Sequence, residues 1–344
     1  MKAVILKSIK GKKFSIEDVN EPVVKSNDVK IRVEAAGICG TDIHIAEGEF
    51  NAILPLILGH EFSGTVVEIG DCVSNIKVGD RVTAESVVYS CGKCEYCISG
   101  HYSICKERKA IGIQFNGAFA EYVLVPHEKV FKLYDNIDFI SAALTELLAC
   151  CVHGLIEETN ISAGDRVLIS GPGSIGLLAL QVAKIQGGEI AVCGIEQDSK
   201  RLHLARELGA KHTFILPNKN FEKEIMALTD NYGVDVAVEC SGSDSSLNNC
   251  INLLKRKGKL VHMGIFPGKV LYDVNQAIFK EIKIIPTFSH IRSSWELSLR
   301  FMAEGLIKTS PLVSHTFSID DWEEAYKISK SHKGIKIIIL PQVN

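Results

Sequence analysis

No apolar run in this 344-residue chain approaches the ~18–20 residues that a membrane span requires, so no membrane partner is expected. An excess of either charge is missing too. The 38 basic residues face 41 acidic ones, for a formal net charge of -3. Such balance provides no field to attract a nucleic acid or an acidic lipid surface. The basic runs at 106–109 and 255–257 read as solvated surface. No secretory leader is expected, because Lys2 is followed by only four apolar residues before Lys7. Internal repeats beyond a strand–helix alternation are lacking, and so are low-complexity segments. These absences leave a cytoplasmic globular chain, long enough for two cores.

Cysteine is not scarce. Eleven of them in a chain that reads as cytoplasmic call for metal before disulfides. Cys39, Thr41, Asp42 and His44 form C-G-T-D-I-H, and His60-Glu61 follow. A thiol, an imidazole and a carboxylate suit zinc. Cys39 and His60 are too far apart to share a helical face, so only the fold can bring them together. A lone cysteine is ordinarily a small buried hydrophobe, but Gly37, Gly40, Gly59 and Gly64 flank these residues, and glycine marks close backbone approach. A second cluster, Cys91, Cys94, Cys97 and Cys105, has the spacing C-x2-C-x2-C-x7-C. Four thiolates close a tetrahedral shell on one zinc and leave no place for water. An iron–sulfur cluster also takes four thiolates.

Up to about residue 133 the pattern is short strands and Gly-Asp turns, as in a compact β-rich unit. Residues 142–155 read as a helix with one acid, Glu146, in an apolar run, and a buried carboxylate needs a partner or a cation. From Asp165 the pattern becomes strand–helix–strand. A strand at 166–170 leads into Gly171-Pro172-Gly173-Ser174-Ile175-Gly176, then a helix, then a strand ending at Glu196, 20 residues after the last glycine. This is a dinucleotide fingerprint in its proper context. Later strands end at Ser241 and Gly264, which join the cofactor-binding candidates. Alternation of this kind gives a parallel, doubly wound sheet. Glu196 is placed to bind ribose hydroxyls and to repel a 2′-phosphate, so NAD is expected over NADP. Lys200 and Arg201 follow closely and offset part of that repulsion, and Asp198 is the alternative acid.

These signals, in this order and over essentially the whole chain, resemble the zinc-containing medium-chain alcohol dehydrogenases. Glu146, where liver-type enzymes carry cysteine, points to the polyol (sorbitol) and threonine dehydrogenase branch. The resemblance implies an α/β fold: a Rossmann doubly wound parallel sheet, residues 152–289, inserted into a β-rich GroES-like catalytic domain formed by 1–151 and 290–344. It implies one catalytic and one structural zinc, with Cys39, His60 and Glu146 as catalytic ligands and Glu61 ligating directly or exchanging with water. Asp42 would orient His60. Thr41 and His44 would carry the alcohol proton outward. The implied reaction is NAD-dependent oxidation of a secondary alcohol to a ketone by a homodimer or homotetramer. L-Threonine 3-dehydrogenase and a non-catalytic zinc- and nucleotide-binding module are the alternatives. One departure stands out. Sorbitol dehydrogenases carry an Arg–Tyr pair shortly before a Trp, where this chain has His290 and Ile291 before Trp295, with Arg292 as the nearby cation.

Overall fold

A computed structural model of the protein describes residues 1–50, 52–331 and 333–342. The chain forms two compact units. One comprises Met1–Glu146, Ile291–Ala303 and Thr309–Asn344, the other Leu147–His290 and Glu304–Lys308. The sequence alone suggests borders at 151/152 and 289/290 and assigns all of 290–344 to the first unit. The structure shifts them, and for residues 304–308 the reason is local. The Gln181 side chain accepts from the Lys308 backbone N–H at 2.8 Å and donates to its carbonyl at 3.0 Å, which ties 304–308 to the second unit.

The first unit is mostly antiparallel sheet. Strand Asp28–Gly37 is its hub. It pairs with Glu61–Ile69, with Tyr122–Pro126 and, at its far end, with the C-terminal strand Lys336–Leu340. Val29, Ile31 and Val33 point inward from alternate positions and are fully buried, as a half-buried strand requires. Trp322 closes this core against Phe14 and Phe119, with ring centroids 5.2 and 4.8 Å away. Strand Val313–Ser318, which sequence periodicity does not announce, pairs in parallel with Lys336–Leu340.

The second unit holds a six-stranded sheet in the order His212–Leu216, Glu189–Ile195, Arg166–Ser170, Val234–Glu239, Leu254–His262, Lys283–Pro286. Every pair is parallel. The chain starts in the middle, moves to one edge and returns to the other, which is the doubly wound order. The single helix expected over 142–155 is broken into Phe139–Ala142, Thr145–Val152 and a π-turn, His153–Glu157. Thr145 donates its hydroxyl to the Ala142 carbonyl at 2.7 Å, a local bond that competes with the helical ladder. Among the described residues no helix is long and apolar enough to cross a membrane.

Candidate metal centres and cofactor site

Cys39 is the N-cap of helix Gly40–Glu47. Asp42, completely buried, fixes that helix start. Its Oδ2 accepts from the Cys39 backbone N–H at 2.9 Å, and its Oδ1 accepts from the Gly59 N–H at 3.3 Å. The same Oδ1 lies 3.7 Å from His60 Nδ1. One carboxylate therefore ties the Cys39 helix to the segment that delivers His60. Gly59 has φ +95°, and a Cβ there would stand 3.0 Å from Phe119. Only glycine suits that turn.

Glu61 begins the strand after His60 and is fully buried. Its counterion is Lys336, 2% exposed, on the first residue of the C-terminal strand. Lys336 also donates to the Ile38 carbonyl at 2.9 Å. Register places Glu61 opposite Gly37, where a Cβ would come within 2.5 Å of Glu61 Oε2 and 2.7 Å of Lys336 Cε. The ion pair thus occupies the space a side chain at 37 would take. Sequence reasoning passes over Lys336. The available signal is a single charge in an otherwise apolar strand, which is rarely buried without a partner.

Among the described residues, the ligand atoms of Cys39, His60 and Glu61 lie within 4.8 Å of one another. His60 Nδ1 and Glu61 Oε1 are buried and find no hydrogen-bond partner among the described residues. Orphaned polar atoms of this kind demand an explanation, and a cation between thiol, imidazole and carboxylate supplies one. Burial pushes the Cys39 thiol up, and the Glu61 charge adds to the effect. Burial alone would pull His60 down, but Cys39 and Asp42 outweigh it and hold the imidazole well above its ordinary range. A metal here would displace those protons. Glu146 is nearly buried near the start of helix Thr145–Val152 but falls outside this close group. Because Glu61 follows His60 directly, it is the carboxylate that the strand brings to the cluster.

Thr41 Oγ1 is 3.7 Å from Cys39 Sγ. His44, three residues on in the same helix, therefore shares its face. Its Nδ1 pairs with Glu49, and its ring meets Phe50 edge-on at 5.8 Å. Among the residues of the sorbitol-type departure, His290 is completely buried, while Arg292 is exposed and pairs with Glu296 at 2.9 Å.

The four-cysteine loop is a local structure. Cys91, Cys94, Cys97 and Cys105 also bring their sulfurs within 4.8 Å of one another. Cys91 and Cys97 Sγ are 3.9 Å apart, close to the edge of a tetrahedron with zinc–sulfur bonds of about 2.3 Å. Backbone N–H groups of Lys93 and Cys94 hold the Cys91 thiol down to about 7, which favours the thiolate that binds metal.

In the second unit the fingerprint has the expected form. Gly171 turns with φ +101°. Gly173 is the N-cap of helix Ser174–Ile185, and nothing lies within 4 Å of where its Cβ would be. A Cβ on Gly176 would overlap the Gly171 carbonyl, so helix and strand touch there. Ser174 and Ile175 form the first turn of the helix, whose N–H groups and dipole favour an anion. Glu196 is exposed just past its strand. Asp198 accepts from the Ile195 N–H at 3.1 Å and pairs with Arg201 at 2.9 Å.

Residues 25–135 match the alcohol dehydrogenase GroES-like domain, and residues 174–304 match the zinc-binding dehydrogenase domain. The chain is 39% identical to a sorbitol dehydrogenase of Halalkalibacterium halodurans over 99% of both chains. It is 37% identical to a D-arabitol-phosphate dehydrogenase of Enterococcus avium, over 94% of this chain and 92% of that one. A solved zinc-binding dehydrogenase of Sinorhizobium meliloti bound to NADP superimposes with a TM-score of 0.92 at 33% identity, over 99% of both chains. The chain belongs to the zinc-containing medium-chain alcohol dehydrogenases, in the polyol and threonine dehydrogenase branch. It is an oxidoreductase that moves a hydride between an alcohol and a nicotinamide cofactor.

Proposed function

We propose that the protein oxidises a secondary alcohol of the polyol or sugar-alcohol type to its ketone, with NAD as hydride acceptor. The observation that carries this reading is the cluster of half-buried Cys39 with buried His60 and Glu61 in a chain that also bears a complete dinucleotide fingerprint. Cys39, His60 and Glu146 would hold a catalytic zinc, with Glu61, already paired with Lys336, as a further carboxylate within reach of it. The four-cysteine loop holds a structural zinc. Zinc supplies the Lewis acidity that makes an alcohol proton removable near neutral pH. Asp42 holds His60 in place, as outer partners of metal ligands do. Thr41 gives up its own hydroxyl proton as it takes the alcohol's, and His44 passes a proton on to solvent.

The preference for NAD is supported by the charges around Glu196. Arg201 is already paired with Asp198, which leaves Lys200, of the two cations that follow Glu196, to offset its carboxylate against a 2′-phosphate. Like charges at close range cost enough to favour NAD by at least ~10²-fold in kcat/KM. The edge strand Lys283–Pro286 is flanked in sequence by exposed apolar residues, Leu271, Ile278 and Phe279 before it and Phe288 after it, which supports a homo-oligomer paired through this edge.

The test is NADH formation by the zinc-loaded protein across sorbitol, D-arabitol, simple secondary alcohols and L-threonine, with NAD and NADP in parallel. Turnover is expected with a polyol and NAD. Activity confined to threonine would transfer the assignment to the amino-alcohol enzymes, and equal use of both cofactors would remove Glu196 as the selector. Loss of the NAD preference in Glu196→Ala is the expected confirmation.

A further inference from the structure

Glu239, the last residue of strand Val234–Glu239, is completely buried. No ion pair with it is found among the described residues, yet its carboxylate is ringed by donors. Oε1 accepts from the Ser241 N–H at 2.8 Å, the Ser241 hydroxyl at 2.6 Å, the Gly242 N–H at 3.1 Å and the Ser246 hydroxyl at 2.8 Å. Oε2 takes a longer bond from the Gly242 N–H at 3.2 Å. The main-chain carbonyl of Glu239 accepts from Met263 and Gly264, each at 2.9 Å.

These partners lie in the turn after strand Val234–Glu239, in the helix Asp244–Leu253 and just past strand Leu254–His262. Ser246 relays the contact to the Ser170 hydroxyl at 2.7 Å, one residue before the fingerprint turn. Ser241 sits where a Cβ on Gly171 would come within 2.9 Å of it. A Cβ on Gly264 would overlap Glu239 Oε2, and one on Gly242 would overlap the Ile265 carbonyl. The turns at 171, 241–242 and 264 are therefore interlocked, with one carboxylate at the centre. In a doubly wound sheet these carboxyl ends form the ligand crevice.

We infer that Glu239 is a positioning residue for the dinucleotide: its buried carboxylate sets the mutual placement of the three turns at 171, 241–242 and 264 that receive the cofactor. The inference rests on the nicotinamide-cofactor reading above. Ordering these donors around one acid before the ligand arrives spares the cofactor that reorganisation. An amide at 239 keeps the shape but turns one acceptor into a donor facing N–H groups, leaving buried donors unmatched.

The experiment is fluorescence titration of NADH onto zinc-loaded protein, with thermal unfolding measured alongside. Wild type should bind NADH; if it binds neither NADH nor NADPH, the cofactor reading falls and this inference with it. Glu239→Gln should raise the NADH Kd about 10-fold and raise KM for NAD in step, with KM for the alcohol unchanged. Ser241→Ala, which removes one hydroxyl donor, should raise Kd about 3-fold. Gly264→Ala approaches the carboxylate from the other side and should also weaken binding. Should Glu239→Gln fail to fold, Ser241→Ala and Gly264→Ala carry the test. Tight wild-type binding that the folded variants retain, whatever happens to their melting temperature, would make Glu239 structural only and overturn the inference.

Discussion

The two cysteine-bearing centres of the first unit are built in opposite ways. The loop of Cys91, Cys94, Cys97 and Cys105 draws every ligand from one short stretch, near the surface. The cluster of Cys39, His60 and Glu61 is assembled by a helix cap, a strand approach and a C-terminal strand that supplies Lys336. A local shell contributes to folding whichever way the rest of the chain packs. An assembled shell can only be as well placed as the fold around it, but it leaves room for a substrate.

Substitutions that separate the centres test this contrast. Cys39→Ser should lower turnover by roughly 10³-fold or more, because several kcal/mol of transition-state stabilisation goes with the metal. Zinc should fall from two per chain to one, with unfolding little changed. Full zinc and normal NADH formation in this variant would break the contrast. Lys336→Met should destabilise the metal-free protein by about 3–5 kcal/mol, since it strands a buried carboxylate. Added zinc should recover much of the loss, and urea unfolding with and without zinc checks it. Cys97→Ser should also lose one zinc, but its signature is a melting temperature lower by at least ~5 °C. An unchanged melting curve would mean that the loop does not clamp its lobe.

Two smaller effects sharpen the assembled site. Glu146→Gln should weaken zinc affinity or activity by about 10-fold, measured by competition with a chelator. A larger effect in Glu61→Gln, with Glu146→Gln silent, would reassign the ligating carboxylate. His44→Ala should slow alcohol oxidation by about tenfold at low pH and much less at high pH, where solvent accepts the proton itself. A pH–rate profile identical to wild type would return His44 to the surface.

What is legible in the sequence follows the same division. The four-cysteine spacing and the glycine fingerprint are local, so their residues announce themselves. Strands Arg166–Ser170 and Val234–Glu239 are readable at their observed bounds, because a buried parallel strand is a short apolar run with sharp ends. Lys336 is not readable as part of the site, since the carbonyl it reaches is 298 residues away and no periodicity records such a partner. Glu239 looks like the end of a strand. Its importance lies in donors that converge from two turns and a helix, which appear only when the chain is folded. Helix Val274–Lys280 escapes the sequence reading because its apolar residues face outward, against the usual amphipathic signal.

The empty space above Gly173 gives the protein a built-in reporter. Its φ of -73° suits any L-residue, and a methyl group there would meet none of the described residues beyond its chain neighbours. Gly173→Ala should therefore be invisible to the folding equilibrium and visible only to whatever lies against the turn. Most substitutions in a binding site confound two readouts, because the side chain that meets the ligand also packs the protein. At this position the two are decoupled. A change in affinity without a change in melting temperature measures how closely the ligand's pyrophosphate approaches the backbone.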